Sequence, residues 1–529
     1  MPGNRLLVGN EREILRRTIA AAVLALSTAA SVLTAATATS PASATAEKPE
    51  PSSGPTADRR AQRALDRAVG IVAGDAAPGP GDRVEGTLAL RELYTAVPDL
   101  DPAARRKAAA ILARPTDGRR DPAGDGYTVK ARRKCDGPIC LHWVPTTRDA
   151  PPSARWVDRN LATMNSVWAT EVGKLNYRRP LRDLGRGGDN KFDVYLKELG
   201  SLGLYGYCAP ERAAPGTPKF LATGYCVLDN DFARSQYAAP PLDSLRVTAA
   251  HEFFHAIQFA YDAGEDGWFM EATATWMEER YADEVDDNRQ FLPFGQLGRP
   301  ASVLDVFKRS GWNQYGNWAF FEYLSTRYGV DVVRSIWNGA AAFEGAPDRF
   351  STRAVAVELR AHGGLPAVFA RYAAGNTVPE RVYPEGSAWP RAATADWTLS
   401  PGAPTRSTTY RIDHLSSRST KLLPGSTLDA QDWQVRIAVD GPDQRSHPAA
   451  HLVTQLRDGR VTMRQLPLDR TGRGAITLGF SNSTVRSVTI TLANASARFD
   501  CWLQTDLSCQ GRSRDDNREL DLAVRAFRS

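Results

Sequence analysis

From Asp243 to Tyr261 the apolar residues Leu245, Ala249, Phe253, Ile257 and Ala260 recur at helical spacing, which predicts a helix capped by Asp243 or Ser244. A second stripe, Trp156, Leu161, Met164 and Trp168, predicts a helix over about 153–173 and reads as core. Residues 59–74, 86–96 and 101–114 read as shorter helices, the last opening with Asp101 as cap and Pro102 in its first turn. Segments 139–145, 192–198, 203–209 and 220–228 are short, rich in Val, Tyr, Leu and Phe, and bounded by Gly, Pro and Asp, as strands of a modest sheet would be. Helical pattern then dominates from Asp243 to about Ala374. Beyond 395 the period changes to two: Trp433, Val435, Ile437 and Val439 alternate with polar residues, as do Ile476, Leu478 and Phe480, then Val488, Ile490 and Leu492. Asp458-Gly459 separates two such runs as a hairpin turn, and a β-sandwich is the expected architecture of this end. The fold class is therefore α+β.

Five segments follow along the 529 residues. Residues 1–46 have the layout of a secretory signal peptide, with Arg5, Arg12, Arg16 and Arg17 ahead of the apolar run Thr18 to Ala38 and small-residue sites at Ala42-Ser43-Ala44 and Ala44-Thr45-Ala46. Residues 47–58 read as a disordered linker and 59–134 as a helical appendage that is a candidate propeptide. Lys130, Arg132, Arg133 and Lys134 form a basic run that serves equally as a processing site or a solvated loop. Residues 135–390 hold the sheet and main helices, and 395–529 the β-sandwich. Six cysteines in three local groups suit an oxidising compartment and predict Cys135–Cys140, Cys208–Cys226 and Cys501–Cys509. A net charge of +6 without a basic-aromatic stripe sets nucleic acid aside, and no membrane span is expected once the signal is cleaved. Nothing in the sequence indicates an oligomeric state.

The candidate chemistry lies on the helix of the opening pattern. His251 and His255 are four apart, so their rings leave one face a turn apart, and Glu252 follows the first. Two imidazoles so placed suit one zinc ion, with Glu252 beside the metal as a base for water: the H-E-x-x-H pattern. The chain has only seven histidines, which makes this arrangement informative. A third ligand is needed. Gln258 and Tyr261 stand where the extended H-E-x-x-H-x-x-G-x-x-H pattern requires Gly and His, so that class is excluded. Glu271, near the start of the next apparent helix and flanked by Trp268, Phe269, Met270 and Ala272, is favoured, since a carboxylate there is costly to bury unless coordinated. Glu278, two turns later, is the chief competitor, and Asp262 and Asp266 remain weaker ones. Thr275 is either a support for the site or a packing residue.

The stretches HEFFHAIQFAYD and WFMEATATWMEE resemble a family of secreted bacterial zinc metallopeptidases related in pattern to gluzincins, whose third-ligand Glu lies in a W-x-x-E motif matched here by Trp268 to Glu271. The likeness runs over about 85–375, including NKFDVYLKELG and LYGYCAPE. It implies a zincin-like domain, with a small sheet and active-site helix followed by a helical subdomain. It further implies zinc on His251, His255 and Glu271, Glu252 as general base, and a protein or peptide substrate. A Tyr or His from a later helix commonly stabilises the oxyanion in such folds, which nominates Tyr315. The strand at 203–209 is the candidate edge for an extended substrate, with Leu204 and Tyr207 along it. Two rival readings are a non-catalytic extracellular binding protein that works through the β-sandwich, and hydrolysis of a non-peptide amide or ester.

Overall fold

Residues 55–73, 86–118, 126–213 and 220–529 are described by a computed structural model. The expected signal peptide and the linker up to residue 54 lie outside them. The chain opens with α1 (Pro55–Ala73), α2 (Gly86–Ala96) and α3 (Pro102–Ile111). Asp101 caps α3 as expected, its carboxylate accepting from the Ala103 and Ala104 amides at 2.7 and 2.8 Å. A hairpin of β1 (Arg132–Asp136) and β2 (Ile139–Trp143) follows, then α4 (Ala154–Trp168), capped by Ser153 and extended through a π turn to Lys174. The basic run at 130–134 thus leads into a paired edge strand. Strands β3 (Phe192–Lys197), β4 (Gly206–Ala213) and β5 (Ala222–Asp229) complete a sheet of order β1-β2-β3-β5-β4. Its middle three strands are parallel and its edges antiparallel.

Side-chain alternation on these strands dictates two faces. Leu141, Val194, Leu196 and Leu228 pack with Leu161, Met164, Phe253 and Ile257 in the principal core. Tyr195, Tyr207, Tyr225 and Val227 point the other way and pack with Leu65, Leu90, Leu93 and Ile111 from the N-terminal helices. Those helices were expected as a separate appendage from residue 59; instead they form the second layer of the same domain, beginning at Pro55. Arg114 pins them down. Its buried guanidinium meets Asp193 at 2.5 Å, Glu211 at 2.6 Å and Asp183 at 2.7 Å, and His142 shares Asp193 at 2.6 Å.

After the short α5 (Arg234–Tyr237) come α6 (Pro241–Asp262) and α7 (Gly267–Ala282), packed against each other. Helix α6 starts two residues before the expected cap: Pro241 occupies the first turn, where its missing N–H costs nothing, and neither Asp243 nor Ser244 caps. Every α6 residue from Val247 to Asp262 is buried, as befits a helix enclosed on all sides. Helices α8 (Asn313–Gly316), α9 (Trp318–Tyr328), α10 (Asp331–Ala340), α11 (Ser351–Glu358) and α12 (Leu365–Gly375) build a helical subdomain around it.

The C-terminal part is a two-sheet sandwich, as the alternation predicts. One sheet has the order β11-β10-β13-β8-β6 and the other β12-β9-β16-β7. The first comprises β6 (Ala395–Leu399), β8 (Ser416–Pro424), β10 (Pro448–Leu456), β11 (Val461–Leu466) and β13 (Val485–Asn494); the second comprises β7 (Thr405–Ile412), β9 (Trp433–Asp440), β12 (Arg473–Gly479) and β16 (Arg518–Arg528). Val435, Ile437, Val439, Val488, Ile490 and Leu492 share its core, and Gly459 turns the β10–β11 hairpin at φ 88°. A small ribbon, β14 (Phe499–Asp500) with β15 (Arg512–Ser513), flanks the Cys501–Cys509 loop. The sandwich docks on the helical subdomain through buried His414, which bridges Asp305 (2.8 Å) and Asp516 (2.5 Å).

All three expected disulfides are present. Such bonds persist in oxidising compartments, which accords with an extracellular or periplasmic address. Among the described residues no helix is long and apolar enough to cross a membrane.

Candidate metal centre

Helices α6 and α7, joined by a four-residue turn, bring His251, His255 and Glu271 together. One ligand atom from each lies within 4.8 Å of the others, and all three side chains are buried. His251 Nε2 stands 3.3 Å from Glu271 Oε2, and His255 Nε2 stands 3.4 Å from Glu271 Oε1. The opposite ring nitrogens are held differently. His251 Nδ1 is 2.7 Å from Glu278 Oε1, and His255 Nδ1 is 2.7 Å from Gln258 Oε1. Gln258 is itself fixed, its amide donating to the Met270 carbonyl at 2.9 Å and reaching Thr273 Oγ1 at 3.2 Å. Both rings are therefore oriented from behind, with their Nε2 atoms turned toward Glu271.

Glu278, the competing ligand, is thus a ring-orienting residue of His251, and Asp262 and Asp266 are not in the converging group. Sequence reasoning missed Gln258, which mattered there only as an absent glycine; its i+3 position from His255 on one helix face was the available signal. Thr275 is fully buried without contributing to this network, while Thr273 does.

Charge and burial oppose each other at His251. Burial alone would lower its pKa, but Glu271 and Glu278 outweigh burial and raise it well above the usual imidazole value. Burial pushes His255 down to about 4, the neutral state that binds a metal. Glu171, from the π turn of α4, is fully buried with no hydrogen bond to its carboxyl oxygens, and burial raises its pKa well above the carboxylate range.

Glu252 lines a cavity of about 160 Å³ together with His251, Glu278, Thr248, Tyr205, Asp287 and Trp312. Its Oε2 accepts from Thr87 Oγ1 at 2.8 Å, a contact from α2 that sequence reasoning missed. Strand β4 passes close by. A Cβ on Gly206 would lie 3.0 Å from both Glu252 Cγ and Thr248 Cγ2, which explains a glycine there. Strand β4 is an edge, as expected of 203–209, although it begins at Gly206. Its Cys208 amide donates to Thr87 Oγ1 at 2.9 Å, so the edge is closed at that residue; Gly203 and Tyr205 remain on the cavity wall. Tyr315 is brought to the site, its buried ring stacked 6.2 Å from that of His251.

Two imidazoles and a carboxylate are a donor set that a zinc ion can take. Ligand atoms at two corners of a tetrahedron with bonds of 2.0–2.1 Å are about 3.4 Å apart. Each Nε2–carboxylate separation, one to each oxygen of Glu271, is close to that spacing and exceeds the 2.7–2.9 Å of a charge-assisted hydrogen bond, whereas both Nδ1 contacts fall at 2.7 Å. His255 Nε2 is buried and makes no hydrogen bond. Two other groups among the described residues lack this character: Cys135 and Cys140 with Asp189 are disulfide-bonded, and Glu279, Asp283 and Glu385 are acids with Arg280 and Arg289 as counter-charges. A larger open depression of about 540 Å³ on the sandwich, edged by Arg406, Arg436 and Arg525, holds no metal-binding group or base.

Comparison with known proteins adds one family. Residues 219–350, which contain α6 and α7, match a family described as "Family of unknown function (DUF6055)". No curated protein matches. Among solved structures, the chain is similar to PliG of Aeromonas hydrophila, a periplasmic inhibitor of g-type lysozyme, at 13% identity over 26% of this chain and all of that one, with a TM-score of 0.14. It is also similar to CorA of Methylomicrobium album BG8, a surface-associated copper-binding protein, at 11% identity over 26% of this chain and all of that one, with a TM-score of 0.15. Superposition at these scores transfers neither fold nor function.

Proposed function

We propose that the protein is a secreted zinc-dependent peptidase of zincin-like fold, with His251, His255 and Glu271 as metal ligands and Glu252 as general base. The observation that carries this reading is the pair of Nε2–carboxylate separations of 3.3 and 3.4 Å, set against Nδ1 atoms engaged at 2.7 Å. Zinc bound there supplies Lewis-acid polarisation and lowers the pKa of water. Glu252, on the cavity wall one residue from His251, takes the proton of the attacking water and delivers it to the leaving amine. Tyr315 is the candidate donor to the oxyanion, and the wall at Gly203 and Tyr205 receives the extended substrate. Glu278 and Gln258 hold the imidazoles in place. A base lining an open cavity beside the ligands favours turnover over a purely structural metal site.

Zinc content and peptide or casein hydrolysis of the wild type, His251→Ala, Glu271→Ala and Glu252→Gln test the proposal. The wild type and Glu252→Gln are expected to hold about one zinc per chain, and the two ligand variants to lose it. Hydrolysis should fall about 10²–10⁴-fold in Glu252→Gln. A wild type that holds zinc and cleaves nothing supports the non-catalytic binding protein instead.

A further inference from the structure

We infer that Thr87 is a positioning residue for Glu252, and that the N-terminal helical layer delivering it is part of the working protein rather than a segment discarded on maturation. The inference rests on the reading of Glu252 as a base and extends it to a part of the chain 165 residues away.

Thr87 is fully buried at the start of α2, and its hydroxyl stands between two fixed groups. It accepts from the Cys208 amide at 2.9 Å and donates to Glu252 Oε2 at 2.8 Å. A hydroxyl has one proton, so accepting the amide N–H leaves that proton directed at the carboxylate. The amide is held in turn: Cys208 lies directly opposite Cys226, and the bridge between them rests against the Glu252 carbonyl oxygen. The approach is close on both sides. A Cβ on Gly86 would meet Tyr207 Cβ at 3.0 Å, and one on Gly206 would meet Glu252 Cγ at 3.0 Å. Helix, strand and carboxylate are therefore stacked at contact distance, and one oxygen of Glu252 is tied to the scaffold while the side chain lines the cavity.

Thr87 itself is not on the cavity wall, so α2 braces Glu252 from behind and does not plug the site as an inhibitory segment would. The layer that carries it is anchored independently by Arg114 with its three acids Asp183, Asp193 and Glu211, the second of which also meets His142, and by the apolar contacts of Leu90 and Leu93 with the sheet. Cleavage at the basic run 130–134 would sever the chain without releasing that layer.

Three measurements test the inference. Crystal structures of the wild type and Thr87→Val should show the Glu252 carboxylate displaced in the variant, and Thr87→Ser, which keeps the hydroxyl, should restore it. With a peptide substrate, kcat should fall about 10–100-fold in Thr87→Val at unchanged KM and zinc content, and recover in Thr87→Ser. Intact-mass analysis of the secreted protein should find residues 86–118, in one chain or as a co-purifying fragment. If Thr87→Val does not fold, Thr87→Ala carries the same comparison. A Glu252 carboxylate unmoved in the variants overturns the positioning role, and an active secreted form lacking residues 86–118 overturns the inference as a whole. A displaced carboxylate in a protein whose wild type hydrolyses nothing upholds Thr87 as the anchor and sinks the peptidase reading alone.

Discussion

The two glutamates on α7 give the sharpest prediction, because Glu271 and Glu278 both touch His251 and the geometry assigns them different roles. Glu271 faces Nε2 of both imidazoles at 3.3 and 3.4 Å, whereas Glu278 meets Nδ1 of His251 at 2.7 Å. Replacing Glu278 by Ala removes an acceptor and leaves a buried imidazole N–H without its partner, while the three proposed ligands stay in place. Loss of such an orienting partner weakens metal binding about 10–100-fold, which is about 1.4–2.7 kcal/mol. Glu278→Gln keeps an acceptor at the same reach and should recover most of that loss. Glu271→Ala instead removes the proposed third ligand and should abolish stoichiometric binding. Zinc affinity is measured by competition with a chromophoric chelator at fixed pH, with circular dichroism to confirm that each variant is folded. If Glu278→Ala abolished zinc binding while Glu271→Ala retained it, the assignment would be reversed and the tetrahedral-spacing reasoning refuted.

Other perturbations probe the supports. Arg114→Met strands Asp183, Asp193 and Glu211 without their common cation and should cost about 3–5 kcal/mol in chemical denaturation; a loss under 1 kcal/mol would show that the N-terminal layer does not depend on it. His414 is subject to a burial penalty that alone would lower its pKa, but Asp305 and Asp516 hold it at about 10. Its folded pKa lies above the unfolded value, so its stabilisation is complete below about pH 6.5 and is lost as pH rises toward 10. The stability gap between wild type and His414→Gln should narrow over that range, and a constant gap would contradict the ion-pair reading. Gly206→Ala places a methyl 3.0 Å from Glu252 Cγ and should lower kcat while zinc content is unchanged; unaltered turnover would mean that β4 yields without disturbing the base.

Local pattern accounts for what the sequence reveals of this site. His251 and His255 are one helical turn apart, so spacing alone turns both rings to one side, while Glu271 on the next helix was favoured over Glu278 by its apolar neighbours and not by spacing. The sandwich strands and the disulfides were equally local, resting on alternation and on cysteines 5, 18 and 8 residues apart. What stayed hidden is non-local. Nothing around Thr87 announces a partner 165 residues on, and the Arg114 cluster draws its acids from three separate segments. The N-terminal helices read as an appendage because their apolar faces are visible in sequence while the surface they cover is not. Only the second face of the sheet, with Tyr195, Tyr207 and Tyr225, shows where they pack. The start of α6 was misplaced for a different reason: Pro241 in the first turn satisfies the same need as a side-chain cap.

These non-local contacts explain why so large a chain surrounds so small a site. A catalytic group is useful only if held near its working geometry, and buried polar side chains keep one rotamer only when their hydrogen bonds are met. Helix α6 is enclosed by protein and carries three of the site's four principal groups, and each of the three is held by a further side chain. Glu252 is fixed from the N-terminal layer through Thr87, and the imidazoles are fixed from α7 and by Gln258. Helix α7 is held in turn by the C-terminal region. Asp266, at its N-cap, turns its carboxylate away from its own helix to accept from the Cys509 amide and Ser351 Oγ, both at 2.7 Å, five residues before Glu271. The Cys501–Cys509 loop therefore braces the helix that carries Glu271, the proposed ligand, at its N-terminal end. On this argument, trimming the chain at either end disturbs the centre from the side it supports: Glu252 when the N-terminal layer is lost, Glu271 when the sandwich is.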